Sequence, residues 1–219
     1  MFTGIVEEKG KIKSIEKNQS SLTLKIDGQT VTSDVSIGDS IAVNGVCLTV
    51  TSFGAGWFTV DVIPETFRGT SLATTNAGSE VNLERAMSAG GRFGGHFVSG
   101  HVDTVGKIKK IWTEDNAQYV HITIDQDGLP YIALKGSITV DGTSLTIFGV
   151  KEDGFVISLI PETRRATVLG AKRQGDIVNV EYDVLAKYME RMLGFRNKAT
   201  DSHDGGLTSD KLQQYGFID

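Results

Sequence analysis

A single cysteine in 219 residues, Cys47, has no partner for a disulfide, so the fold must stand on buried apolar surface. No stretch approaches the roughly 18 consecutive apolar residues of a membrane-spanning helix, and the first ten residues lack the basic start and apolar run of a secretion signal. The chain is therefore expected to stay in a reducing cytoplasm and not to enter a membrane. Basic residues are also in deficit, 22 against 27 acidic, and both halves share the deficit. No basic face is available for a phosphate backbone, which argues against nucleic acid as a partner. Hydrophobic residues make up 39% of the chain and charged residues 22%, which excludes wholesale disorder. Glycine, at 26 residues, is well above the usual ~7% and points to many tight turns.

The strongest signal present is internal repetition. Residues 40–84 laid on 137–181 match at 18 of 45 positions without a gap, including Ile63-Pro64-Glu65-Thr66 on Ile160-Pro161-Glu162-Thr163. With an offset one residue shorter, Gly4 falls on Gly100 and Gly10-Lys11-Ile12-Lys13 on Gly106-Lys107-Ile108-Lys109. A unit this long is a domain with its own core and not a solenoid repeat. Within each unit the apolar period is two, as in the alternation of Leu22, Leu24 and Ile26, and Gly and Asp turns punctuate the chain. The prediction is all-β: two tandem six-stranded antiparallel Greek-key barrels, closed because closure removes exposed edges. The expected boundaries are 1–96, 97–183 and a C-terminal part, 184–219. The glycine-rich stretch from Ala89 to His96 reads as a hinge or a close backbone approach.

The period changes to helical only after Asp183. Leu185, Tyr188, Met189, Met192 and Leu193 form one apolar stripe, Asp183 can cap its start, and Gly194 stands where a helix stop belongs. The stripe can lie on its own barrel or meet a second subunit; the sequence leaves both open. Residues 195–206 are expected to be irregular, and Thr208 or Ser209 to cap a short last helix ending at Gly216.

Phosphate-loop and metal signals are weak. Gly100-x5-Gly106-Lys107 has the wrong spacing for a Walker loop and recurs in the first copy as Gly4-x5-Gly10-Lys11, which marks it as architecture. Among Cys47, His96, His101, His121 and His203 the one pair at short spacing is His96-x4-His101, whose odd separation puts the imidazoles on opposite faces of a strand, so no metal is expected. A duplicated scaffold offers a better discriminator, because it exposes where its copies diverge. Cys47 aligns with Ser144, Ile5 with His101, Asn44 with Asp141 and Gly38 with Lys135. Two similar pockets carrying unlike side chains can hold two similar ligands and give them different chemistry.

These segments resemble a known family. Met1-Phe2-Thr3-Gly4-Ile5-Val6-Glu7, Asn44-Gly45-Val46-Cys47-Leu48-Thr49-Val50, the run from Gly94 to Val102, Asp141-Gly142-Thr143-Ser144-Leu145-Thr146 and both Ile-Pro-Glu-Thr segments are similar to riboflavin synthases of the alpha-chain type, over residues 1–193. The resemblance implies dismutation of two 6,7-dimethyl-8-ribityllumazine molecules, by transfer of a four-carbon unit, to riboflavin and a ribitylaminopyrimidinedione. It implies no cofactor, a homotrimer gathered by the C-terminal helix with sites between barrels of neighbouring chains, and possible association with lumazine synthase. Carried over residue by residue, the first pocket would use Gly4, Ile5, Val6, Cys47, Leu48, Thr49, Asp61, Val62, Ile63, Pro64, Glu65 and Thr66. The second would use Gly100, His101, Val102, Lys135, Ser144, Leu145, Thr146, Ser158, Leu159, Ile160, Pro161, Glu162 and Thr163. Phe2, Ser40 and Asp183 are further activity-linked positions, and Cys47 and His101 are the residues expected to assist proton transfer or addition to the acceptor ring. The rival reading is a non-catalytic lumazine or flavin carrier; such relatives tend to lose the thiol, the imidazole and the long terminal helix that this chain keeps.

Overall fold

The structure, a computed structural model, describes residues 1–17, 22–201 and 209–217. Strands β1 (Glu8–Lys17), β2 (Leu22–Asp27), β3 (Ser40–Val43), β4 (Val46–Gly54), β5 (Trp57–Val62) and β6 (Glu80–Arg85) close in the order β1-β2-β5-β4-β3-β6. Strands β7 (Thr104–Glu114), β8 (Ala117–Thr123), β9 (Ser137–Val140), β10 (Thr143–Lys151), β11 (Gly154–Leu159) and β12 (Ile177–Tyr182) repeat that order in a second closed barrel. Every pairing in the two barrels is antiparallel. The alternation read from the sequence sends Leu24, Ile26, Phe58 and Val60 into the first core. Ile122, Val120, Phe155 and Ile157 fill the second. Even the irregularities are duplicated. The bulge between Ile12 and Ser14 recurs between Ile108 and Lys110, and that between Val50 and Ser52 between Ile147 and Gly149. Extra residues of this kind bend strands tightly enough to close a six-stranded sheet.

A polar seam joins the barrels. The β3–β4 and β9–β10 hairpins end in Asn44-Gly45 (φ 47° and 80°) and Asp141-Gly142 (φ 43° and 78°), the two-residue turns whose twist matches the strands. The tips touch backbone to backbone: a Cβ on Gly45 would lie 2.7 Å from the Gly142 nitrogen, and the reciprocal contact is the same. Buried Asn82 donates its side-chain amide to the Asp141 carbonyl (2.7 Å), and its equivalent Asn179 donates to the Asn44 carbonyl (2.8 Å). Their side-chain oxygens accept from Val168 N (2.8 Å) and Ser71 N (2.6 Å). The divergent pair Asn44/Asp141 thus belongs to the seam. Asp141 is fully buried, and burial pushes its carboxyl above the usual range despite Lys172 3.4 Å away.

The C-terminal unit, from Leu185 onward, is built separately. Helix α3 (Val184–Asp201) begins directly after Asp183 and carries Leu185, Tyr188, Met189, Met192 and Leu193, all more than half exposed. It does not stop at Gly194, which corrects the sequence expectation for 194–201. A glycine inside a helix costs about 1 kcal/mol relative to alanine, and the helix-tolerant Phe195, Arg196, Lys198 and Ala199 follow it. Residues 202–206 and Thr208 lie outside the described residues. Helix α4 (Ser209–Gln214) ends at Gly216 (φ 73°), where Phe217 N reaches the Leu212 carbonyl and Gly216 N that of Gln213, a left-handed helix stop. Among the described residues, no helix is long and apolar enough to cross a membrane.

Candidate active site

Two short segments outside the barrels organise the candidate residues. Thr3 and Gly4 hang on the buried Glu84 carboxylate through Thr3 N (2.7 Å), Thr3 Oγ1 (2.7 Å) and Gly4 N (3.0 Å). Ser99 and Gly100 hang on the equivalent Glu181 through Ser99 N (2.7 Å), Ser99 Oγ (2.6 Å) and Gly100 N (3.0 Å). Burial raises the Glu84 pKa, and the Thr3 and Gly4 donors partly offset that rise. The segments run side by side, joined by Phe2 N to Val98 O (2.7 Å) and Val98 N to Phe2 O (3.2 Å).

This antiparallel crossing exchanges the segments between barrels. The Gly4 carbonyl accepts from Ser144 N of β10 (2.7 Å), and the Gly100 carbonyl accepts from Cys47 N of β4 (2.8 Å). Val102 packs on the core of the first barrel. The groups expected from the sequence must therefore be re-sorted. Cys47, Leu48 and Thr49 stand with Gly100 and Val102, and Ser144, Leu145 and Thr146 stand with Gly4. Linear carry-over could not see this, because two like copies are equally compatible with either pairing. Both glycines are needed: each has φ near +80°, and a Cβ would lie 2.5 Å from Cys47 Cβ at Gly100 and 2.7 Å from Ser144 Cβ at Gly4.

Equivalent positions sit in different chemical surroundings. Half-buried Cys47 packs in an apolar cluster of Phe2, Ala42 and Val98. Its counterpart Ser144 lies 2.7 Å, Oγ to Nδ1, from His96, whose Nε2 is 3.1 Å from Thr139 Oγ1. Thr139 is the equivalent of Ala42. Burial lowers the His96 pKa, with the Asp183 charge opposing. Sequence reasoning weighed His96 only as a metal ligand and passed over Thr139, Glu84 and Glu181. The carboxylates were visible as one of the exact matches between copies; the imidazole was hidden in a stretch read as a hinge. That stretch is a close approach, because a side chain at Gly95 would collide with the Thr3 carbonyl.

The remaining candidates line the rims. The Ile-Pro-Glu-Thr segments open helices α1 (Pro64–Arg68) and α2 (Pro161–Ala166), with proline in the first turn, where its missing N–H costs nothing. Ile63 and Ile160, in extended backbone ahead of them, are 62% and 57% exposed. Glu162 pairs with Arg165, which holds its carboxyl below the usual range; Glu65 is exposed. Thr66 and Thr163 accept from Thr70 and Thr167 through their carbonyls (both 2.7 Å). Val62 and Leu159 point into the cores, so only their backbone can meet a ligand. Asp61 accepts from Thr23 Oγ1 (2.7 Å), whereas its equivalent Ser158 stands in register with Tyr119. Ser40 pairs with Thr49 across β3–β4. His101 and Ile5, equivalent positions beyond the two crossing glycines, are both exposed; half-buried Val6 follows Ile5. A cleft of about 610 Å³ opens beside Ile5, between Glu84, Met87 and Arg92. Lys135 extends its ammonium over Phe148, 4.5 Å from the ring centroid. Among the described residues, no three His, Cys, Asp or Glu side chains are grouped to hold a metal.

Comparison with known proteins agrees with this duplicated architecture. The lumazine binding domain matches the chain twice, over residues 3–86 and 99–183. A riboflavin synthase of Bacillus amyloliquefaciens is 54% identical over 88% of this chain and 90% of its own length. One from Bacillus subtilis is 53% identical over 99% of this chain and 100% of its own. Among solved structures, LumP complexed with 6,7-dimethyl-8-(1'-D-ribityl) lumazine superposes with a TM-score of 0.75 at 28% identity, covering 83% of this chain and 99% of that one. A lumazine binding domain present twice, together with more than half identity to these synthases over most of their length, places this protein in the riboflavin synthase family.

Proposed function

We propose that the chain dismutates two molecules of 6,7-dimethyl-8-ribityllumazine, moving four carbons from one to the other to give riboflavin and 5-amino-6-ribitylaminopyrimidinedione. The observation that carries this reading is the exchange of Gly4 and Gly100 between barrels, which creates two matched ligand clusters that differ in their reactive groups. Two substrate molecules contain together all the atoms of both products, so the transfer consumes no oxidant. The C7 methyl of the lumazine is acidic because its carbanion delocalises into the pteridine. Catalysis is then largely alignment of two rings and movement of protons.

In this reading Cys47 and His101 serve one ring and Ser144, oriented by His96, serves the other. The backbone of 61–66 and 158–163 reads the ring edges, and Ile63 and Ile160 cover its faces. Phe2 backs the thiol, while Ser40 and Asp183 support the rims. The exposed apolar stripe of α3 suits a contact between chains, which supports a homotrimer with sites shared by neighbouring copies. The free thiol suits a reducing cytoplasm, and association with lumazine synthase, which would supply the substrate, belongs to the same reading. Mixing the purified chain with the lumazine, without added metal or nucleotide, should produce flavin absorbance. Tight binding without conversion would instead identify a carrier.

A further inference from the structure

The two barrels differ on their outer faces at one further set of equivalent positions. In the first barrel Glu16 stands in register with Thr23, and Thr23 with Asp61. In the second barrel the same places hold Trp112, Tyr119 and Ser158. Thr51, hydrogen-bonded to Thr59 in the first barrel, corresponds to Phe148. The second barrel therefore carries an aromatic row where the first is polar. Trp112 stacks on Tyr119 (centroids 5.4 Å, interplanar angle 16°), and Tyr119 meets Phe148 (4.9 Å, 57°). The row ends in the candidate site: Tyr119 is the cross-strand neighbour of Ser158, and Phe148 follows Ser144 and Thr146 along β10.

Phe148 remains 47% exposed, with the Lys135 ammonium above it; Lys135 itself replaces Gly38 of the first copy. A large ring left half in water beside ligand-facing hydroxyls is a surface waiting for a partner. Four unlike residues at matched places, Phe148, Tyr119, Trp112 and Lys135, give one site a flat apolar wall and a cation where the other has hydroxyls and a carboxylate. Such a wall suits a planar heteroaromatic ring, and the cation suits one that gathers negative charge on losing a methyl proton.

We propose that Phe148, backed by Tyr119 and Trp112, is the ring-stacking wall of the second-barrel site, and that it makes this barrel the tighter of the two for a lumazine or flavin ring. The inference rests on the reading of the chain as a two-site riboflavin synthase. The chain has two tryptophans, so Trp57→Phe leaves Trp112 as the sole indole reporter beside the wall. Titrating that variant with riboflavin should give two binding phases, the tighter one quenching Trp112. Phe148→Thr, which installs the first barrel's residue, should weaken the tighter phase about tenfold and move the Trp112 quenching to correspondingly higher riboflavin, with the weaker phase unchanged. Phe148→Tyr should retain both. Two phases of unchanged affinity in Phe148→Thr, or loss of the weaker phase alone, would overturn the wall and leave the two-site reading intact. Absence of riboflavin binding in the parent variant would overturn the two-site reading itself. Should Phe148→Thr melt early, Tyr119→Thr gives the same discrimination from behind the ring.

Discussion

The two barrels share strand order, bulges, seam contacts and the carboxylates that hold their crossing segments, yet they surround equivalent positions of β4 and β10, Cys47 and Ser144, differently. In one, a thiol lies against Phe2, Ala42 and Val98; in the other, a hydroxyl closes a short polar chain through His96 to Thr139. Identity between copies maintains the barrels, the seam and the Ile-Pro-Glu-Thr segments, while the change from Cys47 to Ser144 gives equivalent positions different chemical surroundings. Duplication thus supplies an internal control. A residue can be judged by whether its twin has been allowed to change.

The largest expected effect breaks the exchange of segments. Gly100→Ala forces a side chain into the left-handed region and against Cys47 Cβ, 2.5 Å away. Turnover should fall about 100-fold, the usual consequence of misplacing a site by an ångström. Gly4→Ala should match it by pressing on Ser144. Steady-state rates of flavin formation compare them directly, and a large effect in one alone would show that the crossings are not equivalent.

Exchanging the unlike residues has a smaller effect. Cys47→Ser places a hydroxyl in an apolar cluster, and Ser144→Cys removes the partner of His96 Nδ1; each should cost about 1 kcal/mol of stability. Rates should fall in both, and thermal melting separates the two effects. Equal activity in the double exchange would mean that the surroundings, not the side chains, distinguish the sites.

The smallest effects are slopes of stability with pH. Asp141 ionises less readily in the folded chain, so the folded state binds the extra proton and stability declines as pH rises from the ordinary carboxylate range through the raised pKa. Asp141→Asn copies Asn44 and should remove that decline. His96 behaves oppositely: its pKa is lowered, so its contribution is full above about 6.5 and is lost as pH falls towards the lowered value. His96→Gln should flatten that acid limb. Melting temperatures from pH 4 to 8 would reveal both, and a His96→Gln curve parallel to the parent would show that the imidazole titrates freely.

Much of this was legible in the sequence, for identifiable reasons. Alternation in Leu22, Leu24 and Ile26 announces a half-buried strand, and the repeated Ile-Pro-Glu-Thr fixes the register of the copies. The pairing of Gly4 with Ser144 was not legible, because it depends on which of two equal partners a segment meets in space. Neither was the aromatic row, since Trp112, Tyr119 and Phe148 are scattered along the chain and assembled by strand register. Gly194 misled because glycine marks a helix end only where the backbone turns left-handed, as it does at Gly216.

The contact between Gly45 and Gly142 has a mechanical consequence. With the hairpin tips in backbone contact and two asparagine amides bonded across them, rocking or sliding of the halves would have to break buried hydrogen bonds. The seam thereby couples the Cys47 cluster to the Ser144 cluster within one chain. In the proposed two-ring reading, the seam keeps the two clusters at one separation while rings bind.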